Sequence, residues 1–392
     1  VIEQHIETEG AHMNTPAHPL ILELQEGFAG VRKDLSQARH LPGSVYTSDE
    51  IAAIEKDRIF MKSWLCVGRV EELANPGDYM ALRILDEPIV VARDDDGKIV
   101  AYMNMCLHRG VEVAFGQGNA RSFRCPYHAW NFDVGGNLIA APWMKESGHD
   151  MSGGQLPRLK SAEWRGWIFV NFDANPEPFE SYISVYDKEL WYYRTGDCKL
   201  AHKLVIDVNC NWKFITENLL DWYHASTVHA GTFGRYYKLG RDKLPAKLLP
   251  RGGSSIEFDA KSRSNDPNLP FPKLPWLADR DVFSAKGAIF PNINFWSGSD
   301  SLRMWHLWPT ATDKTRAVCY ILLPEASFAT PDFDAKMKQY TSYVEAVATE
   351  DRAALESLQR GVSSPRYQPG VMSQLEVMVH HLMNHYVDAL QA

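Results

Sequence analysis

Followed for the alternation of apolar and polar positions, the chain changes texture more than once. Residues 47–62, TSDEIAAIEKDRIFMK, place Ile51, Ile54 and Ile59 roughly on one side behind a Ser or Thr cap, which predicts a helix. From there to about residue 172, short strand-like runs take over. YMALRIL and PIVVAR are followed by KIVAYMNM across the turn Asp95-Asp96-Gly97, predicting a hairpin, and WRGWIFVNF (164–172) predicts another buried strand. Beyond residue 173 the pattern is mixed. A helix is predicted over NWKFITENLLDWYHA (211–225), and a Pro-, Gly- and Lys-rich stretch from about 231 to 280 reads as long loops. The strands AIFPNINFW, SLRMWHLWP and VCYILLPE follow, then a helix over about 332–360 and a last one over about 372–390. Strands set between helices without a βαβ alternation predict an α+β protein, and there is no repeat or low-complexity tract.

Composition narrows the class. At about 150 residues per domain, 392 residues suggest two or three domains, and 45% hydrophobic content supports a sizeable core. A net charge of −8 argues against a nucleic-acid partner and lends no support to an anionic membrane surface. No apolar run approaches the roughly 18 residues of a membrane span. Six cysteines, without a secretion signal, read as thiols and point to a cytoplasmic protein. The leading VIEQHIETEGAHM has no signal-peptide character; Met13 is read as the natural start, with residues 1–12 carried over from expression.

The chemistry begins at CLHRGVEVAFGQGNARSFRCPYH (106–128), where Cys106-x-His108 and Cys125-x-x-His128 sit on loops of the small β unit. Two Cys and two His admit a tetrahedral structural zinc or a Rieske [2Fe–2S] cluster with both Cys on one iron and both His on the other. Each loop contributes one Cys and one His, and that interleaving suits two irons because each loop then feeds both.

A second constellation lies at NWKFITENLLDWYHASTVH (211–229). On a helix Glu217, Asp221 and His224 form a polar stripe with Asn218 beside it. His229 would lie about 140° round from His224, so the helix must end or bend near Ser226-Thr227 for both to meet one metal. A carboxylate is offered by ATEDRAALESLQRG: Asp351 falls in an apolar row with Val344, Val347, Ala354 and Leu358, whereas Glu350 aligns with Tyr343, Ala346 and Ser357. A carboxylate in an apolar row needs a cation. His224, His229 and Asp351 then make a 2-His-1-carboxylate face for non-haem Fe(II). His380, His381 and His385 have no ligand company and read as a solvated or packed face; His306 reads as strand packing, and Arg303 could pair with a carboxylate, although a surface arginine is the commoner reading. Phe290, Asn294, Trp296, Arg303 and Trp305 on the predicted strands are candidate pocket walls, most of them equally readable as core. Phe115-Gly-Gln-Gly118 is no nucleotide fingerprint, so NAD(P)H must be handled elsewhere.

CLHRG…CPYHAW, with Arg109-Gly110, Tyr127 and Trp130, resembles the Rieske motif of α-subunits of Rieske-type aromatic-ring-hydroxylating oxygenases. Glu217-Asn218, Asp221, Tyr223-His224, His229, Glu350-Asp351 and Gln359-Arg360-Gly361 resemble the same family's mononuclear-iron motifs. The resemblance implies an all-β Rieske [2Fe–2S] domain (47–172) ahead of a helix-grip (START/Bet v1-like) catalytic domain with antiparallel sheet and helices (173–392), and an N-terminal segment (1–46) packed on the latter. It implies one cluster held by Cys106, Cys125, His108 and His128, and one Fe(II) held by His224, His229 and Asp351. In a head-to-tail homotrimer, with or without a small β-subunit, Asp221 would bridge His224 to a neighbour's His128. Electrons would come from NAD(P)H through a separate flavin reductase, with or without a ferredoxin. O₂ and a small aromatic substrate would give a hydroxylated or cis-dihydroxylated product; N- or O-demethylation is the alternative. The spacing in ENLLDWYHAS resembles members acting on aromatic acids such as phthalates, salicylate or anthranilate. Members acting on quaternary amines share it, often with Glu where this chain has Asp221, which favours an aromatic substrate. Two other classes, a Rieske electron carrier and a zinc-stabilised binding protein, are separable by iron content and colour.

Overall fold

The computed structural model describes residues 18–234, 244–259 and 269–392; residues 1–12 and parts of the 231–280 stretch lie outside these. Ser48 caps the first predicted helix by accepting the Ile51 amide, and the helix runs Asp49–Arg58 with Ile51 buried. Its Glu55 is buried against the catalytic half of the chain, where it accepts from Trp212 Nε1 (2.8 Å), Lys213 Nζ (2.5 Å) and Tyr386 Oη (2.6 Å). Burial pushes the Lys213 ammonium down, and the adjacent carboxylate partly offsets this. A buried pair like this fixes how two segments meet more than it adds stability.

The β unit holds three small antiparallel sheets. Asp78–Ile84, Glu87–Arg93 and Ile99–Met103 form the expected meander, joined by Gln117–Asn119 at its edge. Asp94 Oδ1 accepts the Lys98 amide, which closes the predicted turn. One expectation is corrected: 164–172 is not one strand. Arg165 and Gly166 both have positive φ, making a two-residue turn between Lys160–Trp164 and Trp167–Asn171.

The catalytic half is a seven-stranded antiparallel sheet in which Cys198–Val208 pairs with Lys314–Pro324, and Leu302–Ala311, Ile293–Ser297, Val282–Ile289, Ser254–Asp259 and Lys247–Leu248 follow in order. AIFPNINFW therefore splits into two strands around Pro291. The helices Phe179–Glu189, Trp212–Leu220, Phe333–Val362 and Val377–Gln391 pack with it. The long helix buries Met337, Tyr340, Val344, Val347, Leu355, Gln359 and Val362. That row carries Asp351 as expected, but its next apolar member is Leu355; Leu358 is 46% exposed. Buried Gln359 accepts the Asn211 amide (2.9 Å) and donates to the Tyr46 carbonyl (3.2 Å), tying the long helix to the start of Trp212–Leu220. Among the described residues no helix is long and apolar enough to cross a membrane.

Candidate metal centres

The two Cys/His loops share a backbone plan. The Cys106 amide donates to the Val111 carbonyl and the Gly110 amide to the Cys106 carbonyl, both at 2.8 Å. The second loop repeats this, Cys125 to Trp130 (2.8 Å) and Ala129 to Cys125 (3.1 Å). In each, the residue four places after the cysteine is left-handed: Gly110 at φ 76° and Ala129 at φ 58°. The two thiols are buried and mutually in hydrogen-bonding contact, and burial pushes that of Cys106 up. The imidazoles lie outward and exposed, His108 Nδ1 facing His128 Nδ1 at 3.0 Å. Trp130 is buried and stacks beneath His108 at 5.2 Å, while Tyr127 lies against His128 at 3.8 Å. Arg109 sits over Tyr127. The structure thus brings the two sulfurs together on the inside and the two rings together on the rim. That segregation fits a diiron cluster better than one tetrahedral ion, around which the four ligands would have no reason to separate by type.

At the second constellation the helix stops sooner than expected. It spans Trp212–Leu220, and Asp221 is already extended at ψ 134°. Asp221 folds the chain onto its own carboxylate: Oδ1 accepts the Tyr223 amide (2.5 Å) and Oδ2 the His224 amide (3.3 Å). Such local bonds compete with helix continuation. The break falls at residues 221–223 rather than at Ser226-Thr227, and a single helical turn, Ala225–Val228, follows with His224 and His229 at its two ends. Gly234 lets the chain double back, since a Cβ there would lie 2.4 Å from the Ala225 carbonyl oxygen.

This arrangement points His224, His229 and Asp351 at one spot, with ligand atoms all within 4.8 Å of one another. His229 Nε2 is 3.1 Å and His224 Nε2 3.6 Å from Asp351 Oδ1. The Nδ1 atoms face away: His224 Nδ1 meets Asp221 Oδ2 at 2.8 Å, and His229 Nδ1 meets Glu350 Oε2 at 2.9 Å. With each Nδ1–H committed to a carboxylate, each Nε2 keeps a lone pair for a metal, the tautomer a metal site needs. Burial would lower the His229 pKa, yet the Asp351 and Glu350 carboxylates raise it, so the pocket favours positive charge. The residues fit a divalent iron. Three ligands on one side would leave coordination positions open toward a cavity lined by Ile215, Asn218, Trp296, Trp305, Val344 and others.

Two partners went unassigned in the sequence. Glu350, set aside as the residue facing the wrong way, instead clamps His229 and accepts from Thr232 Oγ1 at 2.6 Å. Its side chain reaches round the helix, and the adjacent Glu350-Asp351 pair was the available signal. Asn218 donates to Asp351 Oδ1 at 3.2 Å, with its amide 3.4 Å from His224 Nε2.

Among the pocket candidates, Trp296 and Trp305 line the cavity, Asn294 is buried with its amide on Thr216 Oγ1, and Phe290 packs against Trp212. Arg303, offered both as a pocket wall and as a surface arginine, is 3% exposed, which corrects the surface reading. His306 is fully buried between Trp167 and Tyr320 with both ring nitrogens unpartnered, and burial pushes it down to about 3. His380 and His381 hydrogen-bond the carbonyls of Val31 (2.8 Å) and Leu249 (2.7 Å), and His385 packs against Phe290.

Comparison with known proteins adds the family context. Residues 63–161 match the Rieske [2Fe-2S] domain, and residues 195–392 match the ring hydroxylating alpha subunit catalytic domain. The carnitine monooxygenase oxygenase subunit of Acinetobacter pittii is 36% identical over 194 residues, 48% of this chain and 52% of that protein. The matched stretch therefore spans about half the length of this relative. The benzene 1,2-dioxygenase subunit alpha of Pseudomonas putida is 29% identical over 312 residues, 69% of this chain and 68% of that one. Among solved structures, the quaternary ammonium Rieske monooxygenase CntA in complex with an inhibitor superposes with a TM-score of 0.78 at 25% identity, covering 94% of this chain and 98% of the other. Naphthalene 1,2-dioxygenase from Rhodococcus sp. bound to indole has a TM-score of 0.73 at 19% identity over 95% and 98% of the two chains, a likeness of fold.

Proposed function

The chain belongs to the ring hydroxylating alpha subunit family and carries a Rieske [2Fe–2S] domain with a mononuclear non-haem iron catalytic domain; from that premise we propose that it is a terminal oxygenase component. In this reading Cys106 and Cys125 hold one cluster iron, His108 and His128 the other, and His224, His229 and Asp351 the single iron. The observation that carries it is the pair of imidazoles whose Nδ1 atoms are committed to Asp221 and Glu350 while their Nε2 atoms converge on Asp351. When bound, the cluster supplies electrons singly and the lone iron activates O₂ beside the substrate. The protein's own part is orientation. Asp221 and Glu350 fix the two rings, Asn218 holds Asp351, and the apolar cavity walls seat the substrate.

Within the chain no hydrogen bond or ion pair joins the two centres among the described residues. That favours an assembly, a head-to-tail trimer, in which Asp221 meets His128 of the partner subunit. Asp221 keeps a side chain 20% exposed, next to an exposed Tyr223. Electrons enter from a separate NAD(P)H-dependent flavin reductase, with or without a ferredoxin.

The main reading is hydroxylation or cis-dihydroxylation of a small aromatic compound. N-demethylation of a methylated amine is supported by the match to the carnitine monooxygenase subunit, and by the aromatic lining of the cavity, which suits a cation as well as a ring. Oxygen uptake with a surrogate reductase across aromatic acids and methylamines tests both. Diol or phenol formation supports the first and formaldehyde release the second. Protein containing only zinc, or no substrate-dependent uptake, would remove the oxygenase reading.

A further inference from the structure

On the face of the seven-stranded sheet that looks toward the iron site, several buried polar groups have no partner. Arg303 and Trp305 are two apart on the strand Leu302–Ala311 and leave it on the same side. Asn294 stands opposite Trp305 on the next strand, and Lys286 opposite Trp296 on the one after. Arg303 is 3% exposed; its guanidinium lies 4.3 Å over the Trp296 ring and 5.7 Å from that of Tyr340. Its Nε and Nη1, and the indole Nε1 atoms of Trp296 and Trp305, are buried without an acceptor; Asn294 Oδ1 and the Ser254 hydroxyl are also unpartnered in the cross-strand row of Trp305.

Neighbouring charges offset this only in part: Asp300 and Arg303 attract each other across the core without direct contact. Asp300 is buried nearby, but its carboxylate is engaged by the Ser301 hydroxyl (2.9 Å) and the Phe271 amide (3.3 Å). It makes no ion pair with Arg303. Lys286, the other buried cation here, already donates to the Asp221 carbonyl at 3.1 Å and covers Trp222 at 4.4 Å. An unpaired guanidinium in a core is strongly destabilising. Two unpartnered N–H donors on one guanidinium, lying over the Trp296 ring that lines the cavity reaching Asp351, match what a carboxylate accepts.

We propose that Arg303 receives the carboxylate of the substrate, so that the protein acts on small organic acids whose opposite end lies at His224, His229 and Asp351. This rests on the oxygenase reading above and names its substrate class. Three ring contacts step from one end to the other. His229 stacks on Phe233 at 4.3 Å, Phe233 packs on Trp296 at 4.7 Å, and Trp296 lies under the guanidinium. The body between the two ends is an aromatic ring or a cationic trimethylammonium group, both of which suit Trp296 and Trp305. The carboxylate is what the two share.

The test is ligand-dependent thermal stabilisation of the metal-loaded protein with benzoate, with γ-butyrobetaine, and with benzamide as the neutral analogue, in the wild type, Arg303→Met and Arg303→Lys. At least one acid should stabilise the wild type and benzamide should not. The responding acid tells an aromatic from a betaine substrate. Its affinity should fall about 10- to 100-fold in Arg303→Met and recover in part in Arg303→Lys. Unliganded Arg303→Met should melt no lower than the wild type, because it loses an unpaired buried charge. Binding of neither acid, equal binding of benzamide, unchanged binding in Arg303→Met, or a markedly lower unliganded Tm would each overturn the proposal. Oxygen uptake separates it from its premise. Turnover of neutral and acidic substrates alike removes the role of Arg303 and keeps the oxygenase. Acid binding that depends on Arg303 without any oxygen uptake does the reverse.

Discussion

The proposed cluster loops and the proposed mononuclear centre each assemble two imidazoles with anionic partners, by different routes. The first is built between residues 106 and 130 from two hairpin loops with the same amide-to-carbonyl closures and a left-handed residue at the same place. The second takes two histidines from the ends of one helical turn and an aspartate from a helix more than a hundred residues later, and both rings are steered by acids outside the ligand set. A local site carries its geometry in its own loop closures. A distributed site depends on tertiary packing to deliver each atom, and on second partners to aim it.

Ligand removal should break this comparison most sharply. Asp351→Ala is expected to bind cluster iron normally and lose the lone iron, with activity falling about a thousandfold or more; iron analysis and the reduced Rieske EPR signal check it. Cys125→Ser should do the opposite, losing the cluster while the distributed site still takes up iron. Next in size is Asp221→Ala, in which both metals stay bound when iron is supplied in excess but substrate-coupled oxygen consumption drops about a hundredfold or more. Single-turnover kinetics with a pre-reduced cluster reads the transfer directly, and normal activity would refute the bridge. Glu350→Gln should weaken iron affinity at the distributed site by about 10- to 100-fold and leave the cluster untouched, measured by competition with a chelator. Smallest is the loop geometry. Gly110→Ala places a Cβ in open space at φ 76°, so only the backbone objects. It should cost about 1 kcal/mol of unfolding free energy, and Ala129→Gly in the twin loop should relieve a similar strain.

A pH experiment sharpens the contrast between sites that need charge and a core that cannot hold it. His306 has a folded pKa depressed to about 3 by burial. Its contribution is complete above the unfolded value of about 6.5 and is lost as pH falls toward the folded one. At pH 5 this amounts to about 2 kcal/mol. His306→Phe removes two unpartnered nitrogens and should flatten the acid limb of the stability curve; an unchanged limb would show that other groups dominate acid unfolding.

How much of this was legible in the chain follows the same division. Cys106, His108, Cys125 and His128 announce themselves by spacing, because their site is local. His224, His229 and Asp351 could be chosen from periodicity and the awkwardness of an acid in an apolar row. Their delivery could not: the helix ends at Asp221 because that side chain binds the next two amides, a competition that a 3.6-residue pattern does not display. Glu350 was misjudged because a long side chain can act one row away from its Cα. The hairpin at Arg165-Gly166 hid inside a continuous apolar run. Arg303 was left between a pocket wall and the surface because the sequence cannot tell a cation that faces water from one enclosed by the Trp296 and Tyr340 rings.

If the cluster is held as proposed, the outward placement of His108 and His128, with both sulfurs buried behind them, makes the imidazole rim its doorway. Whatever delivers reducing power and whatever withdraws it must share that threshold or find a longer tunnelling path around it. Traffic through one opening is sequential, so a donor that lingers there would throttle the enzyme as effectively as one that never arrives.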